Sequence, residues 1–172
     1  MPVHWHTRLY ASALLVLSEK TRLEIARQAV ACFLCQTWEP KELIVVNGTG
    51  QPFDAESGIT VIEARGTVDG LNRLAWASAN GEWCVWWSDA CFYGTDYLRL
   101  HVQDAEPGTV TAAIPVTGYC VDTGTTRVLH GWDTAMLSSG RHFFAAPSEA
   151  PAGRVRIVRI GPDNLMRFIH GN

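Results

Sequence analysis

Four short apolar segments are spaced along the first 90 residues, and each is closed by polar or turn-forming residues. Residues 11–17 read Ala-Ser-Ala-Leu-Leu-Val-Leu, and residues 42–46 read Glu-Leu-Ile-Val-Val. Nearly continuous apolar runs of this length are typical of strands that are buried on both faces of a sheet. Shorter runs at residues 60–63 and 83–87 predict two further strands.

The residues between these strands have the periodicity of helices. Apolar positions recur three or four residues apart from residue 23 onward, which predicts an amphipathic helix ending near residue 37. Thr21 and Glu24 have the spacing of a capping box, so Thr21 is the expected N-cap. A second helix is expected over residues 69–78. This alternation of strands and helices predicts an α/β fold with a mostly parallel central sheet.

The composition bounds the class of protein. The chain has 172 residues, of which 47% are hydrophobic and 18% are charged, and this excludes a disordered or collagen-like chain. The length predicts a single domain over residues 1–172. Its second half is more often interrupted by Gly, Thr and Pro, although residues 109–115 and 154–160 predict strands. The net charge of −3 gives no indication of a polyanionic partner.

The apolar runs, the first residues and the cysteine count together suggest the compartment of the protein. No apolar run approaches the roughly 18 residues of a membrane-spanning helix, and the first residues lack the pattern of a signal peptide. The five cysteines are an odd number in a chain that needs no disulfide bridges, which favours reduced thiols. A cytoplasmic protein without a membrane span is therefore expected.

Cys32 and Cys35 have C-x-x-C spacing. Redox motifs with this spacing lie at a helix N-terminus, whereas this pair falls near the end of the first predicted helix, among apolar residues. Both cysteines are therefore expected to be buried and structural. A zinc site that combines them with His4 and His6 is the alternative, although no second spaced pair supports it.

Polar residues follow the ends of three predicted strands. They are Ser18, Glu19 and Arg22 after the first strand, Asn47 after the second, and Ser88 and Asp89 after the fourth. Because ligands of open α/β sheets bind outside the carboxyl ends of the strands, a binding site is expected here. A turn, or a helix N-cap before residues 93–103, explains Asp89 equally well by position.

Two motifs and a third element resemble a known family. Residues 36–47 read Gln-Thr-Trp-Glu-Pro-Lys-Glu-Leu-Ile-Val-Val-Asn, and residues 79–83 read Ala-Asn-Gly-Glu-Trp. In this order and at this spacing they resemble family 2 glycosyltransferases, which have the nucleotide-sugar-binding GT-A fold. Gly131-Trp132-Asp133 resembles an element near that family's acceptor site. The resemblance is strongest over residues 10–104, and it implies a GT-A-like (Rossmann-like) single domain.

The resemblance also implies an activity and a set of site residues. The activity is transfer of a sugar from a UDP- or GDP-linked donor to a hydroxyl acceptor. Asp133 is the implied base that deprotonates the acceptor, and Asp89 and His170 are the implied ligands of Mn²⁺ or Mg²⁺. The implied donor-binding residues are Ser18, Glu19, Arg22, Asn47, Asn72, Arg73 and Ser88, of which Asn72 and Arg73 compete for one contact.

The sequence also departs from the family's pattern. The family's metal-binding Asp-x-Asp would fall at Ser88-Asp89-Ala90, where only the middle residue is acidic, and Asn47 replaces a usually acidic residue. Since the leaving diphosphate must be stabilised by a metal or by cationic side chains, weak metal binding and no metal binding both stay open. Three functions remain: a glycosyltransferase, a non-catalytic GT-A-fold binding or assembly module, and a glycosyltransferase that modifies nucleic acid. A homodimer is a further possibility.

Overall fold

A computed structural model describes residues 9–103, 105–106, 109–115, 117–120, 125–128, 136–140, 155–160, 163 and 165–169. The helices are α1 (Leu23–Leu34), α2 (Val68–Ser78) and α3 (Tyr97–Val102). Of the helices in these ranges, none has the length and apolar content needed to span a membrane. The strands are β1 (Ala11–Leu17), β2 (Lys41–Asn47), β3 (Ile59–Glu63), β4 (Trp83–Trp87), β5 (Cys91–Tyr93), β6 (Val110–Pro115), β7 (Thr117–Cys120), β8 (Thr125–Val128), β9 (Met136–Gly140), β10 (Val155–Ile160) and β11 (Leu165–Ile169).

The main sheet has seven strands in the order β10-β6-β9-β4-β1-β2-β3. The four strands β3, β2, β1 and β4 are adjacent and all parallel. Strand β9 is antiparallel to both of its neighbours, whereas β10 is parallel to β6. A second sheet has the order β5-β11-β7-β8. The predicted α/β class with a mostly parallel central sheet is confirmed, and the arrangement is compatible with a Rossmann-like fold.

Helices cover both faces of the central sheet. Successive side chains of a strand point to opposite faces. Leu15 of β1 accordingly lies in one apolar cluster with Val30 and Phe33 of α1, while Leu14 lies in another with Leu71 of α2. Strands β1, β2 and β3 are therefore added in one direction with α1 on one face of the sheet, whereas α2 crosses the other face and places β4 on the opposite side of β1. In α/β sheets, ligands bind at such a reversal, outside the carboxyl ends of the two central strands, which here are β1 and β4.

The beginning and end of α1 differ from the sequence expectation. Arg22, not Thr21, is the N-cap residue, and it makes no side-chain capping bond. The Thr21 hydroxyl instead accepts a hydrogen bond from the Ser18 backbone N–H at 3.0 Å, so the capping-box interpretation is wrong. The helix ends at Leu34, three residues early. Gln36, two residues after the helix, is buried, and its side chain donates a hydrogen bond to the distant Gly94 carbonyl.

The N-cap alternative for Asp89, which requires one helix over residues 93–103, does not agree with the structure. Strand β5 ends at Tyr93 and α3 begins at Tyr97. Gln36 holds the intervening turn, because its Nε2 donates to the Gly94 carbonyl at 2.7 Å and its Oε1 accepts from the Leu98 N–H at 2.9 Å. Strand β5 also pairs with the distant β11, a partner that local periodicity cannot reveal.

A polar cluster closes the amino edge of the sheet. The Glu42 carboxylate accepts hydrogen bonds from the Ser12 hydroxyl at 2.5 Å, the Asn80 N–H at 2.6 Å and the Gly81 N–H at 3.2 Å. The Gly81 N–H also donates to the Ser12 hydroxyl at 2.8 Å. The two motifs that resemble family 2 glycosyltransferases therefore meet here, at the edge opposite the carboxyl ends of the strands.

This cluster makes the stability of the chain depend on pH. Burial alone would raise the pKa of Glu42, but hydrogen bonds from Ser12, Asn80 and Tyr10 outweigh it and hold the pKa below its ordinary value. A carboxylate whose pKa is depressed by folding stabilises the protein above its unfolded-state pKa. That stabilisation is lost as the pH falls from about 4.5 through the folded-state pKa.

We expect Glu42→Gln to lower the free energy of unfolding at pH 7 by about 1–2 kcal/mol, the scale of a charge-assisted hydrogen bond that is partly exposed to solvent. The loss should shrink at pH 3. Glu82→Gln is the matched control, because Glu82 is exposed and accepts a longer bond, 3.3 Å, from the Tyr10 N–H. Urea unfolding at both pH values measures the effect, and equal losses for the two variants would contradict the role given to Glu42.

Candidate functional site

The carboxyl ends of the four parallel strands lie side by side at one edge of the sheet. Leu15 of β1 is in register with Trp87 of β4, Leu17 of β1 with Asn47 of β2, and Asn47 in turn with Glu63 of β3. The loops that follow β1 and β4 therefore lie next to each other, at the point where the strand order of the sheet reverses. The loops after β2 and β3 continue the same edge on one side.

The turn that carries Asp89 joins β4 to β5 at this edge. Its first residue, Ser88, accepts a hydrogen bond at Oγ from the Ala90 N–H at 3.0 Å, and its own N–H donates to the Tyr93 phenol oxygen at 2.6 Å. Tyr93 is buried, and its ring stacks on Trp87 with the centroids 3.8 Å apart. A buried aromatic pair thus fixes the turn that presents the partly exposed Asp89.

Tyr93→Phe tests this anchoring, because it removes the acceptor for the Ser88 N–H and keeps the ring. Burial raises the pKa of Tyr93 well above its ordinary value, so the phenol is neutral at pH 7 and no charge is lost. We expect the free energy of unfolding to fall by about 1–2 kcal/mol and the Ser88 amide to exchange faster with solvent.

The matched control for that substitution is Tyr97→Phe. Tyr97 is as deeply buried as Tyr93, but its hydroxyl has no hydrogen-bond partner in the part of the chain that the structure describes. Its removal should therefore change stability much less. Denaturant unfolding and amide exchange measure both variants, and a loss at Tyr97 that equals the loss at Tyr93 would refute the anchoring role.

The side chain of Asn47 is hydrogen-bonded to the loop after β2 and to the end of β3. It is 1% exposed. Its Nδ2 donates to the Gln51 carbonyl at 2.7 Å and to the Glu63 carboxylate at 2.8 Å, while its Oδ1 accepts from the Thr49 N–H and hydroxyl. Asn47 therefore joins the loop after β2 to the end of β3. Its direct contact with a nucleotide stays a prediction.

A cavity of about 550 Å³ opens beside this loop. Its walls come from residues 50–54, after β2, and from residues 63–65, at the end of β3. Asn47 bonds to both walls and so holds them together. The charged and aromatic lining residues are Phe53, Asp54, Glu63 and Arg65.

The other residues expected in the site fall into three groups. After β1, Ser18 is partly exposed, and Glu19 and Arg22 are exposed. In α2, Asn72 is buried and Arg73 is exposed, on the helix that covers one face of the sheet. The remaining two lie outside the described residues: Asp133 and His170.

The acidic residues at the site fit only part of a metal centre. Among the described residues, no group of three or more His, Cys, Asp or Glu side chains could hold a metal ion. Mg²⁺ is commonly bound by one or two carboxylates together with substrate phosphates and waters. The lone Asp89 therefore suits a cation that a bound diphosphate helps to hold, and it does not suit a centre formed by these described side chains alone.

Two features of this edge escaped the sequence reasoning. Glu63 is the last residue of β3, so the strand-end rule that selected Asn47 would have selected it as well. Tyr93 had no such signal, because its position depends on the pairing of β5 with β11, more than 70 residues away.

Comparisons with known proteins add no family to these observations. No protein-family model matches the sequence, and no curated protein matches it significantly. The functional proposals therefore rest on the residues and the geometry described above.

Proposed function

We propose that the chain is a glycosyltransferase domain that binds a nucleotide-sugar donor at the carboxyl edge of its parallel sheet. One observation carries the proposal. Strands β2 and β3 are added on one side of β1 and β4 on its other side, so the order of the strands reverses between β1 and β4. The loop with Arg22 and the turn with Asp89 follow these two strands. A guanidinium and a carboxylate on the loops that follow two adjacent parallel strands suit a diphosphate and its accompanying cation. The motif resemblance supports the same family, although Glu42 and Gly81, where the two motifs meet, lie at the opposite edge.

The cavity beside β2 and β3 suits the nucleoside half of such a donor. Adjacent strands lie about 4.8 Å apart, so the end of β3 is roughly 10 Å from the end of β1, within reach of one extended ligand. The carboxylates of Asp54 and Glu63 can accept hydrogen bonds from ribose hydroxyls. Arg65 and Phe53 add a cation and an aromatic ring to the walls.

Sugar transfer makes two chemical demands. Negative charge that develops on the leaving diphosphate must be stabilised. Asp89 would help to hold a divalent cation, which would supply that stabilisation. The acceptor hydroxyl must lose its proton to a nearby base. We assign this second role to Asp133, as the family resemblance implies.

A non-catalytic binding module is the second candidate, and two observations favour it. The turn after β4 carries one carboxylate where the family has two, and the Asn47 amide is occupied by hydrogen bonds to Thr49, Gln51 and Glu63. Such a module would bind a nucleotide without a metal and would transfer nothing. A nucleic-acid acceptor, the third expectation, gains no support from the net charge of −3.

Chemical-shift mapping tests where the donor binds. We expect UDP or GDP with Mg²⁺ to shift the backbone amides of residues 18–22 and 88–90 in labelled protein. The resonances of the amides of residues 80–82, at the opposite edge, should not shift.

Arg22→Ala should weaken binding about tenfold, the scale of a lost charge-assisted hydrogen bond. Arg27→Ala is the control, because Arg27 is exposed on α1. Shifts confined to the amino edge, or absent, would overturn the proposal.

A further inference from the structure

Two cysteines lie one turn apart at the carboxyl end of α1. Cys32 is 7% exposed, whereas Cys35, the C-cap residue, is exposed. The expectation that both are buried is therefore wrong for Cys35. Cys35 follows Phe33, which faces the sheet, by two residues, or about 200° around the helix, so it falls on the side that faces away.

The helical spacing of the two cysteines brings their thiols near each other, and a small backbone shift would let them bond. Residues three apart on a helix have Cβ atoms about 5–6 Å apart, and a disulfide needs about 3.5–4.5 Å. Because Cys35 is the C-cap residue that follows α1, its backbone can close that gap without breaking the helix interior. Burial raises the pKa of Cys32, a backbone hydrogen bond from Tyr93 opposes this rise, and the nearby Cys35 adds to it.

We propose that Cys32 and Cys35 form a redox-modification site, at which a small-molecule disulfide such as oxidised glutathione produces an intramolecular disulfide. The exposed Cys35 thiolate attacks one sulfur of the oxidant and releases one glutathione thiolate. Cys32 then loses its proton, attacks the Cys35 sulfur and releases the second. Two protein thiols are oxidised, the oxidant's S–S bond is reduced, and the two protons end on two molecules of glutathione.

Oxidation at this site should reach the turn that carries Asp89. Cys32 lies in one apolar cluster with Tyr93, whose backbone hydrogen bond lowers the pKa of Cys32, and the Tyr93 phenol oxygen accepts a hydrogen bond from the Ser88 N–H. To bond with Cys35, the Cys32 sulfur must move outward and lose its hydrogen bond with the Tyr93 backbone. Buried backbone groups that lose a partner are costly, so β5 and the Asp89 turn should loosen. Strained or exposed disulfides are readily reduced, which makes the change reversible.

Peptide mapping of the full chain tests the chemistry. Both cysteines lie in one tryptic peptide, residues 28–41, which contains no other cysteine. After oxidised glutathione and alkylation, we expect this peptide to lose the mass of two hydrogens. Cys32→Ser should stop at a mixed disulfide on Cys35, and Cys35→Ser should leave Cys32 as a thiol. Wild-type protein that also stops at the mixed disulfide, or leaves Cys32 unreacted, would overturn the proposal.

Amide hydrogen exchange tests the coupling to the turn. In the oxidised wild type, the amides of Ser88 and Tyr93 should exchange faster than in the reduced protein, and dithiothreitol should restore the slow rate. The amides of residues 80–82, at the far edge of the sheet, serve as the internal control. Unchanged exchange at Ser88 and Tyr93 in fully oxidised protein would refute the coupling. Neither experiment uses a nucleotide, so both outcomes are independent of the proposed transferase function.

Discussion

Asp89→Asn should abolish metal-stimulated binding of the nucleotide-sugar donor while the chain stays folded. Asp89 follows β4 at the reversal of the sheet, and no other acidic residue stands where the family places its metal-binding pair. Losing the carboxylate that we propose as a ligand of the cation should weaken donor binding in the presence of Mn²⁺ by about 100-fold, the upper end of the loss when only the partner that orients a metal ligand is removed. Binding without metal should change little, because asparagine keeps the shape of the side chain.

Glu56→Gln is the matched control for the lost negative charge. Glu56 is exposed and lies outside the lining of the cavity and the turn after β4, so donor binding should not change. Titrations of both variants with and without Mn²⁺ make the comparison, and circular dichroism checks the fold. Metal-stimulated binding that survives in Asp89→Asn would remove this residue from the account of the site.

Gly81→Ala should cause the largest loss of stability among the substitutions considered. A Cβ at this position would lie 2.5 Å from the Ser12 hydroxyl and 2.7 Å from the Tyr10 carbonyl oxygen. Backbone atoms cannot move aside cheaply, and the displaced loop would break the Gly81 bonds to Ser12 and Glu42. We expect a loss of about 3 kcal/mol, at the upper end for overpacked sites.

Gly70→Ala is the control for that substitution and should act in the opposite direction. Gly70 is exposed in α2, and a Cβ there would meet only the Thr67 hydroxyl, at 3.4 Å. Replacing a helical glycine by alanine stabilises by about 0.5–1 kcal/mol. Thermal and urea unfolding give both values, and a Gly81→Ala variant as stable as the wild type would contradict the close packing at the amino edge.

The fold was predictable where local pattern decided it. The strands and helices of the first 90 residues follow from apolar runs and helical spacing, because each element buries its own apolar side chains. The predicted end of α1 was wrong, because contacts with a distant segment determine the conformation there. Gln36 is hydrogen-bonded to Gly94 and Leu98, about 60 residues away. The insertion of β9 between β4 and β6 likewise has no local signal.

The positions of the candidate site residues in the sheet were more predictable than their contacts. The strand-end rule placed the loops after β1, β2 and β4 at one edge, since parallel strands share their polarity. It could not show that the Asn47 amide is occupied by Thr49, Gln51 and Glu63. The two family-like motifs have a structural role as well, because Glu42 of one and Gly81 of the other are hydrogen-bonded at the amino edge. The activity that they imply stays a prediction.

Isothermal titration calorimetry with UDP, GDP and their sugar conjugates, with and without Mn²⁺, tests the central claim most directly. The transferase account predicts saturable binding of at least one nucleotide sugar that strengthens with Mn²⁺ and weakens again when the metal is chelated. Binding that is indifferent to metal would favour the non-catalytic module instead. No saturable heat for any of these donors with any divalent cation would contradict donor binding at this edge of the sheet.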